Sequence, residues 1–347
     1  MGATVTDTGG PAAGWFVDRR TALKIGLGFV VAVVLIYLLG AVVGWERTVE
    51  GLRMADPWWV LAALASTVLG LVAWGKTWQV VLSAVGVSVR FRKLVVTFFA
   101  ATFANYVTPM GQAGGEPFIA FILSRDTDAD FEQSLASVVI ADVLRILPFV
   151  NVGLVGLGYL VWQADLPEGL EVFAYLLVAF AVAMPLGVVL AWRYRAGLRR
   201  GVLWGVGPLT RRTERYSRES IDERIGRLYE SLDVIRESPR ELAVAVVFAY
   251  VGWVFFALPL YFSGLALELF VPLWLVCFLV PIAVIAGSTP LPGGLAAIEG
   301  TLVALLVALR PFTGGEALAV TTVYRLTSYW FVVVFGGLAA LWVLYRA

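Results

Sequence analysis

Histidine is absent from this 347-residue sequence, and cysteine occurs once, as Cys277 within an apolar run. A single cysteine excludes an intrachain disulfide framework, and the lack of histidine removes the usual zinc ligand and the usual acid–base catalyst. No catalytic residue, metal site or cofactor is therefore predicted, and the sequence does not favour an enzyme. The net charge is only +1, which gives no general attraction to nucleic acid.

Charged residues are also scarce, and this deficit indicates which solvent the chain faces. They make up 15% of the sequence, against about 25% in a typical soluble domain, while 60% of the residues are apolar. Apolar runs of about 20 residues recur, and a helix of this length crosses a hydrocarbon core of about 30 Å. We therefore predict an all-α fold, a polytopic membrane helix bundle that forms a single transmembrane domain over 1–347. Spanning helices are expected at about 25–44, 58–82, 133–162, 170–192, 241–262 and 318–344.

The distribution of arginine and lysine in the connecting segments predicts the orientation, because positively charged loops stay in the cytoplasm. Segment 193–240 carries twelve arginines and is placed inside, whereas 163–169 and 263–270 have neither arginine nor lysine and are placed outside. Alternation of the spans then places both termini in the cytoplasm of a multi-pass cell-membrane protein. Within the cytoplasmic loop, apolar residues recur from Ile221 to Ile235 at spacings of 4, 3, 4 and 3. This pattern predicts a helix whose apolar face lies on the membrane or the bundle, or alternatively a partner-binding coiled coil.

Two further apolar segments, 94–124 and 271–309, do not fit this alternation as single helices. Each must begin and end on the same side of the membrane, and each has a midpoint rich in proline and glycine. Proline removes a backbone hydrogen-bond donor and glycine is a poor helix former, so both midpoints should be unwound. Unwound backbone at membrane depth is tolerated only within protein or beside water. We therefore predict two re-entrant helical hairpins that enter from opposite faces. The expected breaks are at Pro109, Gly114 and Gly115 and at Pro290, Pro292, Gly293 and Gly294.

The two predicted hairpins are similar to each other. A Thr-Pro pair precedes a Gly-Gly pair in each, and an arginine follows in the next spanning segment. Arg145 lies 37 residues after Thr108, and Arg325 lies 36 residues after Thr289. Because the predicted topology is inverted as well, the pattern is that of inverted repeats in transporters, whose broken helices meet near the midplane and form the site.

Charged side chains inside the predicted bilayer indicate the candidate site. An arginine at the centre of a spanning helix costs roughly 2.5–3.5 kcal/mol on insertion scales, so such residues face the protein interior and pair with one another or with a ligand. Guanidinium groups and half-helix N-termini suit an anionic group such as phosphate. The predicted substrate-binding residues are Arg145, Arg325, Glu116, Glu299, Asp142, Thr108, Ser288 and Thr289, with Asn105 nearby. The alternative is purely structural: Asp142 would neutralise Arg145 within one helix, and the two glutamates would form bridges to the arginines between repeats.

The broken segments also carry a family resemblance. The second reads Gly287-Ser288-Thr289-Pro290-Leu291-Pro292-Gly293-Gly294 and continues to Glu299, and it resembles the signature of the lysylphosphatidylglycerol synthase membrane region, a family also described as flippase-like. The first, from Thr108-Pro109 to Gly114-Gly115-Glu116-Pro117, is similar to the family's companion motif. The resemblance covers about 25–344 and implies a polytopic bundle that translocates, or helps to modify, phospholipid or polyprenyl-linked lipid. In the family's best-known members an aminoacyl-transfer domain follows the membrane region. Here the sequence ends at Ala347, so the synthase activity is not expected.

Three functions are compatible with these features. The leading prediction is a flippase-like protein that translocates or binds an anionic phospholipid or polyprenyl-linked lipid, with membrane lipids as its partners. The second is an ion-coupled transporter of small solutes, in which Glu116 and Glu299 would titrate. The third is a non-catalytic membrane subunit that supports a lipid-modifying or glycosyl-transferring enzyme and docks it through 193–240.

Overall fold

The computed structural model describes residues 45–108, 129–163, 171–201 and 218–346, together with isolated positions between 30 and 41 and between 119 and 124. Within these ranges all regular secondary structure is helical. The helices are α1 Trp45–Met54, α2 Pro57–Ala84, α3 Phe91–Val107, α4 Phe131–Gln163, α5 Glu171–Arg193, α6 Arg218–Arg236, α7 Pro239–Ala266, α8 Leu273–Ala286, α9 Ala297–Leu309, α10 Gly314–Arg325 and α11 Phe331–Arg346. A 3₁₀ turn, Pro292–Gly294, precedes α9, and a π-helical turn, Leu326–Trp330, joins α10 to α11.

Several of these helices are long and apolar enough to cross a membrane. The described residues contain six such stretches: Pro57–Ala84, Phe131–Trp162, Glu171–Arg193, Pro239–Ala266, Pro292–Leu309 and Gly314–Val343. The prediction of an all-α, multi-pass membrane helix bundle is thereby confirmed. The re-entrant course of the two broken segments and their inverted repetition stay predictions. The predicted span 25–44 lies largely outside the described residues.

Helices α2 and α7 pack along each other and form the centre of the bundle. The Ser66 hydroxyl of α2 donates a hydrogen bond of 2.7 Å to the backbone oxygen of Phe255 in α7. The Trp74 indole N–H reaches the backbone oxygen of Ala249 at 3.4 Å. Side-chain groups that satisfy backbone oxygens across a helix pair fix its register in an apolar environment, where no water competes for them.

The helices beside this central pair approach their neighbours closely at glycine. Helix α4 packs against α8, and a Cβ added at Gly156 would lie 2.5 Å from the backbone nitrogen of Phe278. Helix α3 packs against α11, and a Cβ added at Gly336 would lie 2.7 Å from the backbone oxygen of Phe99. A side chain at either glycine would force the two backbones apart, so the small residue sets the spacing of both helix pairs.

The second apolar segment is broken where its proline and glycine residues cluster. Helix α8 ends at Ala286 and α9 begins at Ala297, and residues 287–296 between them are called the break. The break contains the 3₁₀ turn Pro292–Gly294, and the φ angle is positive at Gly293 (56°) and Gly294 (62°). Helix α8 has 14 residues and is too short to cross the hydrocarbon core alone, whereas Pro292–Leu309 has a length that could cross it.

Helix α6 lies on the side of the bundle and contacts α4 and α7. Its apolar residues Leu228 and Leu232 pack against the core, and Ile235 is fully buried, in agreement with the spacing in the sequence. Glu132 of α4 is buried and accepts hydrogen bonds from Arg224 at 3.3 Å and from Arg227 at 3.2 Å. The apolar face of α6 is therefore used against this chain's own bundle.

Candidate functional site

Arg325 is a buried cation in the interior of the apolar stretch Gly314–Val343. It is the last residue of α10, and the π-helical turn Leu326–Trp330 follows it directly. The wider turn changes the direction of successive side chains, and such turns occur preferentially at functional sites. An arginine at this depth requires partners, because hydrocarbon offers no solvation for its charge.

The partners of Arg325 come from the broken segment. Its Nε donates a hydrogen bond of 2.6 Å to Oε1 of Glu299, which is buried in the first turn of α9. Its Nη2 donates a hydrogen bond of 3.0 Å to the backbone oxygen of Gly293. That oxygen is available because the chain is not α-helical at the break. Among the residues that the structure describes, Nη1 of Arg325 has no hydrogen-bond partner.

Two tyrosines connect the break to α3. Tyr329 is almost fully buried, and its ring centroid lies 4.3 Å from Cζ of Arg325, in the geometry of a cation–π contact. The same ring packs on Gly293, where an added Cβ would overlap it. It also stacks on Tyr106 of α3, with centroids 5.2 Å apart. The C-terminal end of α3, which lies in the first of the two segments predicted to be broken, therefore meets the break of the second.

A cavity of about 320 Å³ lies at this meeting point. Arg325 and Ser328 line it from the helix around the π-helical turn, and Asn105 and Tyr106 line it from α3. The break contributes a further part of the wall, together with apolar residues of α7 and α8. These residues are Phe256, Ala283, Val284, Gly287, Ser288, Thr289, Leu291, Gly293 and Gly294. The cavity thus combines one guanidinium group with hydroxyl, amide and aromatic surfaces.

Arg145 has different surroundings. Its Nη1 donates a hydrogen bond of 2.9 Å to Asp142 one turn earlier in α4, and Cζ lies 4.0 Å from the centroid of the Trp74 ring. The Nε of Arg145 is buried without a partner. Arg145 does not line the cavity, but Trp74 contacts Phe256, which does, with ring centroids 5.1 Å apart. The structure therefore brings Arg325 to the cavity, whereas Arg145 is separated from the cavity by Trp74 and Phe256.

The other predicted residues fall into three groups. Thr289 and Ser288 line the cavity, and Ser288 is exposed there, with its hydroxyl 3.5 Å from the backbone oxygen of Val284. Thr108 ends α3, where its N–H donates to the backbone oxygen of Ala104 at 3.1 Å. The residues that lie outside the described part of the chain are Pro109, Gly114, Gly115 and Glu116.

Three contributors to the site were not among the predicted substrate-binding residues. Tyr329 is one helical turn after Arg325, and this spacing could have indicated a shared face. Tyr106 and Phe256 approach the cavity from other helices, and no local pattern in the sequence indicates that they meet it. The described residues contain no group of three or more acidic or cysteine side chains that could hold a metal ion.

Comparisons with known proteins extend over nearly the whole chain. The family model of the lysylphosphatidylglycerol synthase TM region matches residues 25–336. A UPF0104 membrane protein of Methanothermobacter thermautotrophicus is 26% identical over 327 residues, which cover 92% of this chain and 94% of that protein. A UPF0104 membrane protein of Pyrococcus horikoshii is 24% identical, covering 92% of this chain and 97% of its own length. A third, from Methanocaldococcus jannaschii, is 22% identical, and the matched residues cover 90% of this chain and 93% of that protein.

Proposed function

This chain belongs to the family of the lysylphosphatidylglycerol synthase TM region, and we propose that it binds the anionic head group of a membrane lipid at Arg325 and moves that lipid across the bilayer. The matched model describes the transmembrane region of such synthases, so the synthase reaction itself is no part of the proposed function.

The observation that carries the proposal is the state of the Arg325 guanidinium. Two of its three nitrogens are held by Glu299 and by the backbone of the break, which fixes the plane of the group. The third, Nη1, has no partner among the described residues, and the side chain lines a cavity. A guanidinium fixed in this way needs little reorganisation to bind phosphate, and charge-assisted hydrogen bonds are roughly twice as strong as neutral ones.

The size of the cavity favours a head group rather than a whole lipid. Its volume of about 320 Å³ is at the lower end of the range of about 300–1,000 Å³ for small-ligand pockets. Acyl chains would therefore stay in the surrounding hydrocarbon while the polar group enters. The position of the site beside apolar stretches long enough to cross a membrane supports an amphiphilic ligand.

The break supplies an element that could move with the ligand. It lies between two helices, has positive φ angles at two consecutive glycines, and contacts Arg325 through its backbone. In transporters with broken helices, rearrangement around such a site exposes it to alternate faces of the membrane. Movement of Glu299 or Gly293 would necessarily change the hydrogen bonds of the arginine, so ligand binding and the shape of the break are linked.

Reconstituted liposomes that contain a fluorescent anionic lipid test the proposal. Loss of fluorescence to a membrane-impermeant quencher reports the lipid that reaches the outer leaflet. The informative change is Glu299→Gln combined with Arg325→Gln, because it removes the cation without leaving a buried carboxylate unpaired. We expect this double variant to fall to the rate of protein-free liposomes, since the anionic group would have no charged partner.

The matched control is Arg310→Gln, at the other end of α9, where the guanidinium lies 5.9 Å from the ring of Phe312 and outside the cavity lining. It should transport lipid at the wild-type rate. Transport by the double variant equal to that of the wild type would overturn the proposal and leave the buried ion pair a purely structural bridge.

A second candidate function, ion-coupled transport, is favoured by one observation. Oε2 of Glu299 is buried without a hydrogen-bond partner, and an unsatisfied carboxylate oxygen is a suitable place for a proton or a cation. A pH gradient imposed across the liposomes should then change the flux of wild type and not that of Glu299→Gln. Equal responses of the two proteins would remove this candidate.

A further inference from the structure

A second cavity, of about 300 Å³, lies between α2 and the turn that joins it to α3. One wall is a face of α2, on which Lys76, Gln79 and Ser83 follow one another at helical spacing. The other wall is the turn, residues 86–89, which reverses at Gly86 with a positive φ of 81°. We call this cavity the α2–α3 groove. It shares no lining residue with the cavity at the break, so it is a separate candidate site.

The ammonium group of Lys76 is held at this groove by neutral partners. Its Nζ donates a hydrogen bond of 2.6 Å to Oε1 of Gln79 and lies 5.4 Å from the centroid of the Phe91 ring. The amide of Gln79 in turn donates a hydrogen bond of 2.8 Å to the backbone oxygen of Val89, so Gln79 fixes both the lysine and the turn. Among the residues that the structure describes, no carboxylate forms an ion pair with Lys76. An ammonium group has three donors, so two of them are left for a ligand.

The sequence around the groove supplies cations and no anions. Residues 57–115 contain four lysine or arginine residues and neither aspartate nor glutamate. The surface helix α6 differs, because its Arg224 and Arg227 both pair with the buried Glu132 of α4. There the chain neutralises its own cations, whereas at Lys76 it places a cation in a groove and provides no counter-charge. This difference indicates that the counter-charge at the groove comes from a ligand.

We propose that the α2–α3 groove binds a phosphate group, with Lys76 as its charged partner. Phosphate offers oxygen acceptors in several directions, which suits the two remaining donors of the ammonium group. The exposed hydroxyl of Ser88, on the opposite wall, has no hydrogen-bond partner among the described residues and adds a donor that can rotate. The volume of about 300 Å³ is at the lower end of the range for small-ligand pockets, and it suits a phosphate with the first atoms of the molecule that carries it. That molecule is a lipid head group or a water-soluble phosphorylated compound.

Carbon-13 NMR of the full-length protein tests the proposal, because the chain has only three lysines, Lys24, Lys76 and Lys93. Lysine labelled at Cε gives three signals, and Lys76→Met assigns the one of interest. The protein is kept in dodecyl maltoside, and inorganic phosphate replaces chloride at constant ionic strength. We expect the Lys76 signal to shift and to saturate, while the Lys93 signal does not saturate.

A parallel titration adds phosphatidic acid to the micelles in place of free phosphate, with phosphatidylcholine as the reference without net charge. Saturation by inorganic phosphate alone would assign the groove to a water-soluble phosphorylated compound, and saturation by phosphatidic acid alone would assign it to a lipid head group. Saturation by both would mean that the phosphate group itself is recognised, whatever carries it. Saturation by neither would overturn the proposal.

Variants are compared by the phosphorus-31 line width of whichever probe saturates, inorganic phosphate or phosphatidic acid, because the line broadens when the probe is bound to the protein. Lys76→Met removes the charge and keeps an unbranched side chain, so it should weaken binding about tenfold or more, the effect of one charge-assisted hydrogen bond. Lys93→Met is the matched control, because it removes the same charge from the first turn of α3 but Lys93 does not line the groove. Binding to the control should stay close to that of the wild type. Equal weakening by the two variants would overturn the proposal, since it would mean a general attraction to basic residues and no site at Lys76.

Discussion

Removal of one member of the Arg325–Glu299 pair should destabilise the bundle strongly, and removal of both should cost far less than the sum. The side chains are only 8% and 6% exposed, and the bond between them is 2.6 Å long. A buried pair that loses one partner leaves an uncompensated charge, at a cost of about 3–5 kcal/mol. Arg325→Gln also loses the bond to the Gly293 oxygen, worth about 1 kcal/mol, so it should be the more severe single variant. We expect a coupling energy of about 3 kcal/mol between the two sites.

The assay is equilibrium unfolding of the detergent-solubilised protein in increasing sodium dodecyl sulfate, followed by helical circular dichroism. Asp142 and Arg145 form the comparison pair, because they have the same chemistry but side chains that are 32% and 26% exposed. Their coupling energy should be smaller than that of the Arg325–Glu299 pair, because both side chains are less buried. A coupling energy for Arg325 and Glu299 as small as that of the comparison pair would refute the reasoning, because it would mean that neither charge is held in a low-dielectric interior.

Three further predictions concern the break, the contact between α4 and α8, and helix α6. Gly293→Ala should lower the midpoint of unfolding for two reasons: alanine disfavours the positive φ of 56° at this position, and its Cβ would overlap the Tyr329 ring. Adding Tyr329→Ala to this variant should restore part of the lost stability, because it removes the overlap. Gly156→Leu should separate α4 from α8 and reduce thermal stability in detergent, whereas leucine at the uncrowded Gly158 should not. The two hydrogen bonds from Arg199, each 2.6 Å, hold the pKa of the exposed Asp222 carboxyl below its ordinary value of 3.8. A carboxyl whose pKa is lower in the folded state than in the unfolded state stabilises the fold above the unfolded-state pKa, and this stabilisation is lost as the pH falls through the folded-state pKa. The rate of proteolysis of α6 should therefore be constant between about pH 5 and 8 and increase below about pH 4.

The local features of the fold could be predicted from the sequence, and the pairing of distant side chains could not. Length and hydropathy gave the helices, and the proline and glycine cluster predicted the interruption before α9. The spacing of apolar residues likewise predicted the buried face of α6. The sequence does not decide whether Arg325 pairs with a ligand or with Glu299, because it shows that two buried charges need neutralisation but not which atoms meet. In the structure Glu299 takes one nitrogen and the cavity borders the same side chain, so the two alternatives coexist.

The contacts that sequence reasoning missed are aromatic and long-range. Tyr106 stacks on Tyr329 across more than 200 residues, and Trp74 faces the guanidinium of Arg145 from another helix. Each of these rings lies on an apolar helix where many aromatic residues occur, so composition alone does not distinguish them from ordinary core residues. Their role depends on which helices become neighbours, and helix order in a bundle is set by packing rather than by local propensity.

The neighbour relations within the bundle bear on the predicted duplication. When two copies are related by a two-fold axis, a contact between one helix of the first copy and another helix of the second is matched by the same contact with the copies exchanged. Helix α3 lies in the segment 94–124, whose break is predicted, and packs on α11, which follows the second broken segment. Helix α8 opens that second segment and packs on α4, which follows the first. The close-approach glycines match too, since Gly156 lies 48 residues after Thr108 and Gly336 lies 47 after Thr289.

This reciprocity supports an inverted repeat, which stays a prediction, and it gives the difference between the two arginines a meaning. Arg325 contacts its own broken segment through Glu299 and Gly293, whereas Arg145 bonds to Asp142 in its own helix and has a buried Nε without a partner. If the proposed translocation proceeds by alternating access, we expect the two halves to exchange their arrangements, so that Nε of Arg145, which is buried without a partner, gains one in the opposite state.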